Sequence, residues 1–305
     1  MKIVFFGTSI FAVPILEKLT AHYKVVLVVT TPDAKVGRRQ KLEASPVSIS
    51  AANLNLVIEK PRSLKNPGIF QILADLNADL YIVVAYGKII PENILALPKL
   101  GCLNVHGSLL PAYRGPAPIQ FALWQGEKQT GNTIMVMDEQ IDHGPILAQD
   151  SVIINPKDCF KELEQKMSQT ASQTLLQTVS DYKVGKISPQ PQDHSQATFT
   201  RIINKSDGKI DWQETASQTY NRYRALNSWP GLWTIYKNQK IKINKCSVSE
   251  KTTTENPATI TSDGLIACAK GTMLKIEQLQ PEGKKEMSWK EFLNGRRDIL
   301  GTNFN

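Results

Sequence analysis

Short β-branched and apolar runs alternate with stretches of helical period through the first half of the chain. Strands are predicted over Lys2–Phe6, Val25–Val29, Leu56–Ile58, Leu80–Ala85, Leu103–Val105 and Thr133–Met137. Helices are predicted over Phe11–Leu19, Ile69–Leu76, Ala117–Trp124 and, longest, Asp158–Ser180. Alternation of this kind predicts an α/β unit: a mostly parallel, Rossmann-like sheet covered by helices on both faces. After Lys186 the pattern stops. Ser188-Pro189-Gln190-Pro191-Gln192-Asp193 is polar and proline-containing, so it neither continues a helix nor has much to bury. Beyond Lys205 short strands are predicted at Trp233–Lys237, Lys240–Ile243, Thr259–Thr261, Leu265–Ala269 and Leu274–Leu279, separated by turn residues. A small β-barrel of the oligonucleotide-binding kind fits that spacing. The domain reading is therefore residues 1–187, a linker over 188–205 and a second domain over 206–305.

Length supports the division, because 305 residues exceed what one compact domain commonly holds. With 41% hydrophobic and 21% charged residues the composition is that of an ordinary folded protein. The apolar opening Met1–Phe6 is interrupted by Gly7-Thr8-Ser9, and no run approaches the roughly 18 apolar residues of a membrane span, so the expected place is the cytoplasm. Cys102, Cys159, Cys246 and Cys268 are scattered, without metal-ligand spacing, and are read as reduced structural thiols, with no metal expected. Of the formal net charge of +8, +6 falls in residues 201–305. A basic module suits a polyanion such as nucleic acid, although a lysine-rich solvated surface gives the same signal.

Chemistry concentrates in the segment from Leu103 to Pro116. Asn104 and His106 stand two apart at the end of a predicted strand, so both side chains face the same way. In an open parallel sheet that end borders the ligand crevice. An amide donor and an imidazole together can stabilise an oxyanion and handle a proton, as acyl transfer to an amine requires. By itself an Asn-x-His pair is also what a polar strand end capping its turn looks like.

The longer string narrows the choice. Asn104-Val105-His106, then Ser108-Leu109-Leu110-Pro111 and Arg114-Gly115-Pro116, closely resembles the signature of the folate-dependent formyltransferases, and Met137 to Ile146 is similar to that family's second motif. The resemblance implies a catalytic trio of Asn104, His106 and Asp142. It implies a 10-formyltetrahydrofolate pocket lined by Ser108, Leu109, Leu110 and Pro111, with Tyr86, Gly87 and Lys88 as a second folate-contacting loop. Taken alone, Asp142 in its Asp-x-Gly setting reads equally as a turn carboxylate.

Met1–Lys18, the loop Pro32–Leu42, and Gly208–Trp212, Arg224–Gly231 and Leu279–Lys285 in the second domain resemble the branch of that family whose acceptor is initiator methionyl-tRNA. The resemblance implies a tRNA-binding enzyme with Arg38, Arg39 and Lys41 on the loop toward the acceptor end; a monomer is expected, and Lys284 and Lys285 are candidates for contact with the tRNA backbone. Arg222, Lys242, Lys245, Arg296 and Arg297 are further candidates for phosphate contact. Trp212, Trp229 and Trp233 read as core aromatics.

The sequence departs from the pattern at three places: His143 where a small hydroxyl residue is usual, Asn132 for an apolar residue, and Asn227-Ser228 before Trp229. His143, beside Asp142, is expected to alter that carboxylate's ionisation. A nicotinamide-dependent dehydrogenase is disfavoured because the Gly-x-Gly-x-x-Gly glycines and the ribose-binding acid are missing. An inactive RNA-binding relative would not need the intact trio. A formyltransferase for a small nucleotide-linked amine would leave the basic loop and basic second domain without a purpose.

Overall fold

The computed structural model describes residues 1–37 and 40–305, in two compact units. The first comprises Met1–Pro118, Gln129–Ile153 and Leu163–Arg201, and the second Ile119–Lys128, Ile154–Glu162 and Ile202–Asn305. The first unit therefore includes most of the polar stretch after Lys186. Gln190 exchanges backbone bonds with Ile146, and Thr198 and Thr200 pair with Arg114.

The first unit is built on a seven-stranded sheet. Its strands are β1 (Lys2–Gly7), β2 (Lys24–Val29), β5 (Ile58–Glu59), β6 (Leu80–Val84), β7 (Cys102–His106), β8 (Gln129–Val136) and β9 (Ile146–Ile153), in the order β5-β2-β1-β6-β7-β8-β9. From β5 to β7 the pairings are parallel, and β7-β8 and β8-β9 are antiparallel. A small hairpin, β3 (Ala34–Val36) and β4 (Lys41–Glu43), stands apart from this sheet. Helices α1 (Val13–Thr20), α2 (Pro46–Asn53), α3 (Pro67–Asp75) and α4 (Glu92–Leu95) fill the connections. Period two along the strands divides the core. Val4, Phe6, Leu27, Val29, Tyr81 and Val83 pack on one face with Ile69 and Leu73 of α3 and Ile94 of α4. Ile3, Phe5, Val28, Ile82 and Val84, which alternate with them, are as deeply buried. Both faces are covered, as a parallel sheet requires.

Helix α5 (Pro118–Gln125) lies mainly in the second unit, and α6 (Phe160–Lys183) runs from its segment ending at Glu162 into the first unit. The second unit also has β10 (Leu232–Tyr236), β11 (Gln239–Thr252), β12 (Ile266–Ala267), β13 (Thr272–Pro281) and β14 (Met287–Ser288) in one antiparallel sheet. Helices α7 (Ala216–Leu226) and α8 (Trp289–Asn294) accompany it. Both start with capping boxes, Thr215 with Gln218 and Ser288 with Glu291. These Ser/Thr-x-x-Gln/Glu signals stood in the sequence and predict the two helices the strand pattern left out.

Several predicted strands shift. Leu56–Ile58 gives way to Ile58–Glu59, and Thr259–Thr261 reduces to isolated bridges from Thr259 to Asn303 and from Ile260 to Ile266. Strand β9 escaped prediction because it is an edge strand, mostly half-exposed, without the apolar alternation of a buried one. Trp212 is a core aromatic stacked on Phe304, but Trp229 is 53% exposed and does not belong to the core. Among the described residues no helix is long and apolar enough to cross a membrane.

Candidate active site

Strand order changes direction at β1, between β2 and β6, and in sheets of this kind ligands bind at the carboxyl ends beside such a switch point. Strand β7 ends on that side of the sheet with Asn104 and His106 on one face. The loop between β8 and β9 brings Asp142 to the same place. Its Oδ1 accepts a hydrogen bond from Asn104 Nδ2 at 3.3 Å and lies 3.5 Å from His106 Nδ1. Its Oδ2 accepts from the Gly115 amide at 2.8 Å. The three side chains named from the sequence thus meet around one carboxylate, although 38 residues separate Asn104 from Asp142.

The ring of His106 lies between two acceptors. Nε2 stands 2.9 Å from the carbonyl of Tyr113, which can only accept, so Nε2 carries a proton. Only a ring with a second proton on Nδ1 donates to Asp142 as well. An amide has two N–H groups, and the bond to Asp142 uses one of Asn104's. The side chains of His106 and Asp142 are 7% and 13% exposed, which leaves the pair sheltered yet within reach of a substrate. Asp142 holds φ at 50°, a left-handed conformation that Asp tolerates better than most residues.

Around the trio, the turn after β7 is held by its own polar atoms. Ser108 Oγ donates to the Ala112 carbonyl, Thr133 Oγ1 donates to the Ser108 carbonyl and accepts from the Leu110 amide, and Gln149 donates to the Leu110 carbonyl. Ser108 and Leu110 are buried, whereas Leu109 and Pro111 are half-buried. Leu109 lies over Gly131, where any Cβ would meet its side chain and the Asp150 carbonyl. In the loop after β6, the Tyr86 ring sits in the core edge-on to Phe6, and Gly87 is exposed with open space around it. Lys88 donates its ammonium to the carbonyls of Pro61 and Arg62. Tyr86 and Lys88 are thus engaged in holding the loop itself.

His143 does not pair with Asp142. Its Nδ1 lies 2.6 Å from Asp138 Oδ2, and its ring stacks on His194 at 4.0 Å between centroids. The carboxylate it contacts is Asp138. Asn132 is buried and donates to Asp150, Thr170 and the Met167 carbonyl, so a polar cluster replaces the expected apolar contact. Burial pushes the thiols of Cys102 and Cys268 up to about 12 and that of Cys159 to about 11. None of these three is a thiolate at neutral pH. Among the described residues no group of three or more His, Cys, Asp or Glu is gathered as a metal site.

Of the residues expected to meet RNA, Lys41 is exposed on the β3–β4 hairpin, and Arg38 and Arg39 lie outside the described residues. Lys284 and Lys285 are exposed in the turn between β13 and β14. Arg222 is not a phosphate ligand: it is buried, 2.8 Å from Glu214, bonded to the carbonyls of Asp207 and Lys209, and set over the Trp124 ring. Lys245 is paired with Glu277 at 2.8 Å, while Lys242 is exposed. Arg296 lies over the Phe292 ring, and the side chain of Arg297 is outside the described residues.

A doubly wound sheet whose strand-end amide, imidazole and carboxylate meet at one point defines an acyl-transferase site. The chain belongs to the formyl transferase family: the family's formyl transferase model matches residues 1–179, and its C-terminal domain model matches 202–297. It is 42% identical over 312 residues to the methionyl-tRNA formyltransferase of Caldicellulosiruptor saccharolyticus, covering 98% of this chain and 100% of that one. It is 41% identical over 299 residues to the methionyl-tRNA formyltransferase of Enterococcus faecalis, covering 96% of each. Among solved structures, an N-formyltransferase from Helicobacter canadensis in complex with folinic acid and dTDP-3-aminofucose has the same fold, with a TM-score of 0.69 at 20% identity over 90% of this chain and 98% of that one. HypX from Aquifex aeolicus in complex with tetrahydrofolic acid matches with a TM-score of 0.62 at 14% identity, over 98% of this chain and 48% of that one.

Proposed function

We propose that this chain transfers the formyl group of 10-formyltetrahydrofolate to the free amino group of initiator methionyl-tRNA, giving formylmethionyl-tRNA for translation initiation in the cytoplasm. The observation that carries the reading is the meeting of Asn104, His106 and Asp142 around one carboxylate in a chain similar end to end to methionyl-tRNA formyltransferases. The amine attacks the formyl carbon, a carbon–nitrogen bond forms, and the carbonyl oxygen becomes an oxyanion. Asn104 donates to that oxygen with the N–H that Asp142 does not use. The pair of His106 Nδ1 and Asp142 Oδ1 takes the proton lost by the amine and returns it to the departing folate nitrogen as its bond to carbon breaks. Half-buried Leu109 and Pro111 and the open backbone at Gly87 offer the flat apolar and peptide surface that a pterin ring fits. In this reading Ser108 to Pro111 and Tyr86 to Lys88 shape the folate pocket, with Ser108, Tyr86 and Lys88 acting by backbone rather than by their engaged side chains. The catalytic part lies within residues 1–201, which include most of the expected linker, and the tRNA-binding part lies within 206–305 of a monomer.

Incubation with 10-formyltetrahydrofolate and charged initiator tRNA should yield formylmethionine after ester hydrolysis; formylation of a free amino sugar in its place would overturn the tRNA reading. Affinity for the tRNA should fall steeply with salt as condensed ions are released. Replacing Lys284 and Lys285 together by Ala should weaken that binding and flatten the salt slope by roughly one to two units, leaving folate affinity unchanged. A double variant with the parent salt slope removes these two lysines from the interface. Arg38, Arg39 and Lys41 are assigned to the acceptor end. Arg38→Ala should reduce turnover as well as binding in the same assay.

A further inference from the structure

Gln192 lies in the polar stretch after Lys186, yet it is only 6% exposed. Its amide is fully used. Oε1 accepts from Arg114 Nε at 3.2 Å and from Nη2 at 2.6 Å, and Nε2 donates to the carbonyls of Asp142 at 3.0 Å and Gly144 at 2.7 Å. The opposite amide orientation would set NH2 against a guanidinium and oxygen against two carbonyls, so these bonds fix the assignment. Arg114, 4% exposed, also donates Nη2 to His194 Nδ1 at 2.8 Å, which places that ring's proton on Nε2. The residue after Arg114 is Gly115, whose amide holds Asp142 Oδ2.

Asp142 is therefore held at both ends, the carboxylate by Gly115 and the carbonyl by Gln192. Its left-handed backbone persists only where surrounding bonds enforce it. We propose that Gln192 is a positioning residue for formyl transfer: by bridging Arg114 to the carbonyls of Asp142 and Gly144 it keeps the Asp142 carboxylate turned onto Asn104 and His106. The proposal rests on the catalytic reading of Asp142. Gln192 itself touches neither Asn104 nor His106 through these bonds and acts through the loop.

The test uses the full chain, with kcat, both KM values and the thermal midpoint measured for Gln192→Met, Gln192→Glu, Asp142→Ala and the Asp142→Ala/Gln192→Glu double variant. Gln192→Glu keeps an acceptor for Arg114 and adds a charge the guanidinium favours, but it loses both N–H donations and sets oxygen against two carbonyls. It keeps Arg114 paired even where Gln192→Met fails to fold. The expected result is a kcat lower by roughly 10- to 100-fold in Gln192→Glu, with both KM values within about twofold of the parent, since small misplacement of a reacting group costs up to about that much. In the Asp142→Ala background the same change should lower kcat by less than about twofold more, because groups acting as one unit do not add. Parent kcat in Gln192→Glu, or losses that multiply in the double variant, would overturn the proposal while leaving Asp142 catalytic. Parent kcat in Asp142→Ala would overturn the reading of Asp142 and this proposal with it.

Discussion

Turnover of the His106→Ala, Asn104→Ala and Asp142→Ala variants is expected to fall by roughly a hundredfold or more each, with folding intact. The size follows from the geometry. Asp142 Oδ1 is shared by Asn104 Nδ2 and His106 Nδ1, so each deletion leaves the other two misaligned as well as removing its own group. Combined variants should then lose little more than the single ones. His106 is the most informative of the three, because its ring joins the Tyr113 carbonyl on one side to the carboxylate on the other. Single-turnover rates, with thermal midpoints as the folding control, measure the effect. Near-parent turnover in His106→Ala removes the ring from the reaction.

Gly144→Ala is expected to cost about 3 kcal/mol of stability and to lower turnover together with it, at the upper end of what overpacking does. A Cβ at Gly144 would stand 1.8 Å from the Val136 carbonyl oxygen, a fixed backbone atom at the end of β8. Room can be made only by moving the loop from 137 to 145, and Asp142 lies on it. Gly185→Ala is the comparison: nothing lies within 4 Å of its added carbon, so only the left-handed backbone opposes it, at about 1–2 kcal/mol, and turnover should not change. Denaturation midpoints and kcat for the two variants separate the effects. Equal losses would show that the crossing of residue 144 over Val136 has no particular part in the site.

These two expectations describe the same loop from opposite sides. The Val136 amide donates to the Pro145 carbonyl and the Met137 amide to that of Cys102, so the loop leaves and re-enters the sheet at fixed points. Gly144 permits the close crossing, and Gly115 and the bonds to the Asp142 carbonyl hold what lies between. A carboxylate on a loop is thereby placed almost as firmly as one on a strand.

The strands and longer helices of the first unit were legible because their periods are local, so Lys2–Gly7, Leu80–Val84 and Phe160–Lys183 emerge close to their expected bounds. The trio was legible for a different reason: two motifs in order carry a resemblance, and strand alternation puts Asn104 and His106 on one side without further information. What the sequence alone could not reveal is whatever depends on which distant groups meet. Arg222 resembles any basic surface residue until Glu214 and the Trp124 ring are seen around it. His143 borders Asp142 in the chain, but side-chain direction in a turn follows backbone torsion, and its partner proved to be Asp138. Gln192 sits in a polar, proline-containing stretch that predicts a solvated connection. It becomes buried because Arg114, Asp142 and Gly144, 48 to 78 residues away, offer it two donors and two acceptors. Local pattern determines the elements because neighbouring residues share one backbone geometry; only the tertiary structure decides which polar groups find partners, because burial without a partner is too costly to persist.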